Sequence, residues 1–272
     1  MPTFLLVDNG SKKAEATLRL RELSVKLSER TGKHIHAVSL QHADAIDKTE
    51  INNLPAETFY HFLRQKLQQG EREFIAIPLF FGESRALTSF IPDKVTELEK
   101  EFGFFNFKLA DVIYPLVEGE PRLADILFEH IHAVSIKNNI QVENIVIVDH
   151  GSPIPEITEV RKRVAKRLQT LLGDGISLGQ AVMERREGPE YDFNGALLEN
   201  WLSEQAERGV KNIIVAMMFF LPGRHAGECG DVDEICKGVI KKFPELEVTI
   251  TPLINEHETL ISILQDRLLN VQ

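Results

Sequence analysis

The chain has 272 residues, 43% of them hydrophobic and 26% charged, with a formal net charge of −10. This is an ordinary globular composition and excludes extended disorder. The acidic balance argues against a general nucleic-acid binder, which needs a basic face, but leaves room for a local basic pocket. No apolar run reaches the roughly 18 residues needed to span a bilayer. The opening MPTFLLVDNGS lacks a basic n-region and reads as a strand, not a signal peptide. Two cysteines, Cys229 and Cys236, make no disulfide framework. The expected compartment is therefore the cytoplasm.

In chain order, short β-branched and apolar runs predict strands near residues 3–8, 34–40, 73–80 and 109–113. Between and after them, helices are predicted near 12–30, 56–69, 90–102 and 121–137; in the first, Leu18, Leu20, Leu23, Val25 and Leu27 supply the apolar stripe. The second half repeats the order. Its strands are predicted near 144–149, 176–182, 212–218 and 246–252, and its helices near 156–172, 193–208, 231–242 and 256–269.

The halves also match residue by residue, about 140 positions apart. FLLVDNGS (residues 4–11) returns as IVIVDHGS (145–152), and FIAIPLFFGESRA (74–86) as IIVAMMFFLPGRH (213–225). Helices ending at Gly70 and Gly209 precede the second pair, and strands ending in Pro-Leu follow it. Four matched segments in one order imply a duplication. Alternating strand and helix imply an α/β fold: two tandem modules, residues 1–138 and 139–272, each a doubly wound four-stranded parallel sheet flanked by helices, with a cleft between them. Ligands in such folds bind beyond the carboxyl ends of the strands. Both DHGS and FFLPGRH fall there.

His150 follows the first strand of the second copy, before Gly151 and Ser152, and His225 follows its third strand. Strands one and three are neighbours in many doubly wound sheets, so both imidazoles can face one site. A neutral imidazole offers one lone pair to a divalent transition metal or to a proton. Two histidines are fewer than a closed structural zinc site requires, so an open site for transient metal handling fits better. The alternative is that each histidine only caps its turn. The first copy is an internal control: Asn9 stands for His150 and Ala86 for His225, so both imidazoles are absent together. Drift in a site without function remains the other reading of that pair.

Arg224 and Arg85 occur in both copies and suit carboxylate binding or a local salt bridge. Glu228 is a candidate third ligand or proton acceptor. Asp233 and Glu234 read as first-turn acids of a helix. Glu184, at the end of the second strand, can enter the site with Arg185 and Arg186, or all three belong to a solvated loop. His34, His36, His42, His61, His130, His132 and His257 have no comparable setting, and the spacing of Cys229 and Cys236 is unlike that of metal-binding pairs.

VDHGS, MERREGPEYDFNG and MFFLPGRHAGECGDVDEI together resemble the sirohydrochlorin chelatase family, the CbiX/SirB type of class II chelatase. The resemblance covers the chain as two modules and is strongest over residues 144–253. It implies an enzyme that inserts a divalent metal, cobaltous or ferrous ion, into sirohydrochlorin or a related tetrapyrrole without ATP, for cobalamin or siroheme biosynthesis. Nickel or zinc also suits imidazole ligands. It implies His150 and His225 as metal ligands and catalytic groups, and no cofactor beyond the metal substrate. In many two-module relatives the histidines lie in the first module. Here Asn9 and Ala86 replace them, so the roles carry over to the second module alone.

On this reading Glu184 or Glu228 helps remove the pyrrole protons. The tetrapyrrole carboxylates meet Gly151, Ser152 and Arg224, with Ser11 and Arg85 contributing from the first module. The expected partners are the tetrapyrrole and the metal ion, with no nucleic acid and no membrane, and the protein is a monomer or homodimer. The alternatives are a non-catalytic metal or tetrapyrrole carrier with the same fold, and an enzyme acting on another acidic molecule through DHGS as a phosphate-binding turn.

Overall fold

The structure, a computed structural model, describes residues 2–271. Their contacts form two compact units. One holds the residues up to Gly119 and those from Glu258 onward; the other is Glu120–His257.

In the first unit, β1 (Thr3–Asp8) leads into α1 (Ala14–Thr31), β2 (Ile35–Ser39), α2 (Phe59–Gln68), β3 (Glu73–Pro78), α3 (Ile91–Phe102) and β4 (Asn106–Leu109). The four strands are parallel in the order β2-β1-β3-β4. Side chains alternate across a strand. Leu5 and Val7 therefore pack with Phe59, Leu63, Ile91 and Leu98 of α2 and α3 on one face. Phe4 and Leu6, also buried, point to the other. Each such fully buried side chain stabilises the fold by about 1.5–3 kcal/mol. α1 stops at Gly32, whose left-handed backbone (φ 67°) lets its N–H reach Ser28 O at 2.9 Å.

In the second unit, α4 (Arg122–Asn138) is followed by β5 (Asn144–Asp149), α5 (Pro155–Leu172), β6 (Ser177–Val182), β7 (Ala196–Leu197), α6 (Leu198–Glu207), β8 (Asn212–Met217), α7 (Asp231–Lys242) and β9 (Glu247–Ile250). The sheet is again parallel, in the order β7-β6-β5-β8-β9. The first and third strands of each copy are adjacent, β1 with β3 and β5 with β8, as the pattern requires.

Two expectations are revised. The second sheet has five strands instead of four, because Ala196 and Leu197 pair with Ala181 and Val182. Among the described residues, the first unit has at the matching place a single bridge, Ser39 to Thr58. The fourth strand of the first sheet lies at Asn106–Leu109, not near 109–113, because the register with β3 starts at Glu73 opposite Asn106. The expected boundary at 138/139 follows the repeat in sequence; by contacts, α4 groups with the second unit and the last helix, α8 (Thr259–Val271), with the first. α4 packs on α5 and β8, and α8 on α1 and β3. Arg267 of α8 donates to Val112 O and Ile113 O, both at 2.9 Å, and Lys26 of α1 meets Glu258 at 2.6 Å.

Candidate metal-binding site

β5 ends at Asp149, and the chain turns sharply through His150, Gly151 and Ser152. The turn needs glycine: Gly151 has φ +89°, and a Cβ there would lie 2.0 Å from Glu184 O. Glu184 N in turn donates to His150 O at 3.1 Å, so the residues after β5 and β6 are clamped together. β8 ends at Met217, and an irregular loop carries His225 to the start of α7. There Asp231 N donates to Arg224 O (3.1 Å) and Val232 N to His225 O (3.2 Å), which seats the histidine on the first turn of that helix.

The two imidazoles meet. Their ring centroids are 4.6 Å apart at an interplanar angle of 79°. His225 Nδ1 lies 2.6 Å from Asp231 Oδ2, and His150 Nδ1 lies 3.0 Å from Gly151 O. In the tautomer that donates from Nδ1 to these oxygens, each ring has its lone pair on Nε2. His150 Nε2 is 3.3 Å from Glu184 Oε1. The result is a row, Asp231–His225–His150–Glu184, with two imidazoles flanked by two carboxylates. The side chains of His150 and His225 are 47% and 28% exposed, open enough for an ion to enter and leave. Among the described residues, no group of three or more His, Cys, Asp or Glu side chains is arranged to hold a metal ion.

The other expected residues are distributed as follows. Glu184 reaches His150, whereas Glu228 is exposed on the loop before α7, and among the described residues no hydrogen bond or ion pair joins it to either imidazole. Arg224 is 79% exposed, with Nε 3.7 Å from Asp231. Ser152 Oγ accepts from Ile154 N at 3.0 Å. Arg185 pairs with Asp192 at 3.0 Å, and Arg186 stands over Tyr191. Ser11 and Arg85 belong to the first unit. Ser11 makes the same short turn as Ser152, accepting from Lys13 N at 3.1 Å, and Arg85 is exposed just before a π-helical turn at Ala86–Phe90. Asp233 caps Cys229 N (3.0 Å) and pairs with Lys237, as a first-turn acid should. Burial pushes the Cys236 thiol up to about 12, so it stays a neutral core group.

Two features escape a reading of residue types alone. Asp231 is the carboxylate bonded to His225, although its neighbours Asp233 and Glu234 look equivalent in sequence. Beneath the turn, Arg161 of α5 is buried at 1% exposure and donates to Asp149 Oδ1 at 2.6 Å. Burial raises the Asp149 carboxyl above its ordinary value, against the opposing pull of Arg161.

The chain is similar to several known proteins. The CbiX family model matches residues 144–271. The chloroplastic sirohydrochlorin ferrochelatase of Arabidopsis thaliana is 28% identical over 134 residues, 49% of this chain and 55% of that protein. The match thus spans about half the length of that curated relative. In fold, the chain is similar to SirB from Bacillus subtilis with Fe3+, with a TM-score of 0.69 at 13% identity, covering 100% of this chain and 96% of the other. It is similar to the same degree to the sirohydrochlorin chelatase SirB of Bacillus subtilis subspecies spizizenii in complex with cobalt, with a TM-score of 0.68 at 12% identity over 100% and 95% of the two chains. At such identity the likeness is one of fold, and it extends over both units.

Proposed function

We propose that this chain, a CbiX/SirB-like protein of the class II chelatase type, inserts a divalent cobalt or iron ion into sirohydrochlorin or a closely related tetrapyrrole without consuming ATP. The observation that carries the proposal is the pair of adjacent imidazoles whose Nδ1 atoms are both engaged. Two Nε2 lone pairs are left for a metal ion in a half-exposed site.

The reaction replaces two pyrrole N–H protons by one M2+ ion, so each turnover releases two protons. The metal is a substrate and must be held loosely enough to leave. Two neutral ligands on an open site suit that better than a closed four-ligand cage. As the metal passes to the macrocycle nitrogens, each Nε2 lone pair becomes free to accept a proton, because protonation and metal binding compete for it. Asp231, bonded to His225 Nδ1, stabilises the imidazolium that forms. Glu184, 3.3 Å from His150 Nε2, takes the second role on the other ring and passes its proton to solvent, to which 60% of its side chain is exposed. Arg224 projects from the same loop, with a guanidinium suited to a substrate carboxylate.

The test is an absorbance assay with sirohydrochlorin and either cobaltous or ferrous ion at substoichiometric protein. Many metallated molecules per chain is the expected result. One metal or one macrocycle bound per chain, without product, would make the protein a carrier and overturn the enzymatic reading.

A further inference from the structure

The chemistry above uses groups that face solvent. Directly beneath them lies a buried polar network that no step has used. Arg161 donates through Nη1 to Asp149 Oδ1 (2.6 Å) and through Nη2 to Asn194 O (2.5 Å). Asp149 Oδ1 also accepts from Gly151 N at 3.1 Å, so the carboxylate joins the arginine to the turn carrying His150. Asn194 is fully buried and makes every bond its amide can. Oδ1 accepts from Ser152 N (2.9 Å) and Thr158 Oγ1 (3.2 Å), and Nδ2 donates to Ser152 O (2.8 Å) and Tyr191 O (3.1 Å). His150 is thus bracketed by Asp149, Gly151 and Ser152, each fixed from below by this network.

The duplication shows what the network is not needed for. In the first unit Leu20 occupies the place of Arg161, at the spacing that relates Asp8 to Asp149 and the start of α1 to the start of α5. The turn nevertheless folds alike. Gly10 has φ +88° against +89° for Gly151, and Ser11 Oγ accepts from Lys13 N as Ser152 Oγ does from Ile154 N. Leu40 N reaches Asp8 O at 2.8 Å, as Met183 N reaches Asp149 O at 2.8 Å. A buried arginine is costly to desolvate, and apolar replacements of buried ion pairs are often neutral or stabilising. The fold therefore accepts leucine here, and the arginine is present only in the copy that has the histidines.

We infer that Arg161, acting through Asp149 and Asn194, is a positioning residue that holds His150 Nε2 beside His225 for metal transfer. This rests on the metal-handling role proposed for the two imidazoles. Deleting the arginine alone would strand a buried carboxylate, so the main test is the double variant Arg161→Leu with Asp149→Asn, which keeps an acceptor for Gly151 N. The readouts are cobaltous-ion affinity by titration, KM for metal and for sirohydrochlorin, kcat, and thermal midpoint. The expected result is a folded protein whose cobalt affinity falls by about 10-fold to 100-fold, the range for outer-shell partners of metal ligands. KM for the metal rises accordingly, while KM for the tetrapyrrole changes little. Wild-type cobalt affinity and KM, whatever the thermal midpoint, would show a purely structural role and overturn the inference. If the double variant does not fold, Arg161→Lys gives the answer: it keeps the charge beside Asp149 but not the forked bond to Asn194 O, so intermediate weakening is expected, and unchanged constants overturn the inference. A wild-type chain that binds cobaltous ion but never inserts it refutes the proposed reaction while the affinity comparison still tests the positioning role. A wild type that does neither overturns both.

Discussion

At the scale of single residues, one pair of aspartates separates the two copies. Asp149 ends β5 with Arg161 as its partner. Asp8 ends β1 with Leu20 in that place, its Oδ1 buried without a hydrogen bond, and burial raises its carboxyl to about 6. The folded state thus holds the Asp8 proton more tightly than the unfolded chain, whose carboxyl titrates near the ordinary 3.8. Stability is therefore highest below that lower value and falls as pH rises toward 6, with the full penalty present above it. Two pH units correspond to about 3 kcal/mol. Asp8→Asn should therefore stabilise the first unit by up to about 3 kcal/mol at pH 7.5, with the gain vanishing below about pH 4. Urea unfolding at the two pH values checks this, and equal midpoints at pH 7.5 would contradict it. Asp231 belongs to the same scale. Asp231→Ala frees the His225 Nδ1–H and should raise KM for the metal by about 10-fold to 100-fold, as loss of a carboxylate behind a metal-binding histidine does. Steady-state kinetics at varied metal concentration measures it, and an unchanged KM removes Asp231 from the site. His150, His225 and Glu184 are legible in sequence because each follows the carboxyl end of a strand, His225 after an intervening Leu-Pro-Gly turn. Asp231 was not, since any acid at a helix start is explained by the helix dipole. Nor was Arg161, since an arginine in an amphipathic helix reads as solvent-facing.

At the scale of elements, β5 and β6 position the site through backbone contact. A side chain at Gly151 would meet Glu184 O in a conformation that side chains avoid. Gly151→Ala should push the residues after β5 and β6 apart, destabilising the protein by more than the ~1 kcal/mol of an unstrained glycine replacement. It should also lower metal insertion, because His150 and Glu184 sit on the two displaced segments. Circular dichroism melting alongside the insertion assay reads both, and a wild-type melting temperature with wild-type activity would contradict it. The strands and helices were mostly visible in the hydrophobic pattern. The exceptions have local causes. DVIYPL is apolar enough to suggest a strand, but the register with β3 places β4 earlier, at Asn106–Leu109. β7 has only two residues, too few for any periodic signal.

At the scale of the whole molecule, the repeat in sequence and the grouping in space differ by one helix each. α4 and α8 hold equivalent places in the two copies, yet each contributes to the core of the unit its copy does not otherwise form. Sequence does not show this, since both helices are amphipathic and either sheet offers an apolar face. Arg267 marks the consequence. It is 7% exposed and donates to two backbone carbonyls of the first unit. Arg267→Met should leave those carbonyls without these donors and destabilise the first unit by about 2–6 kcal/mol, roughly 1–3 kcal/mol for each unsatisfied acceptor. Hydrogen exchange should quicken in β1, β3 and α1 while β5 and β8 stay protected; uniform loss of protection would show that the grouping is wrong. The roles of His150 and His225 are measured by sirohydrochlorin metallation, followed by absorbance, in His150→Ala and His225→Ala made singly. Each variant is expected to stay folded and to lose at least about 100-fold in kcat/KM for the metal, as removal of a group acting as both ligand and proton acceptor should. Near-wild-type rates in both would contradict it.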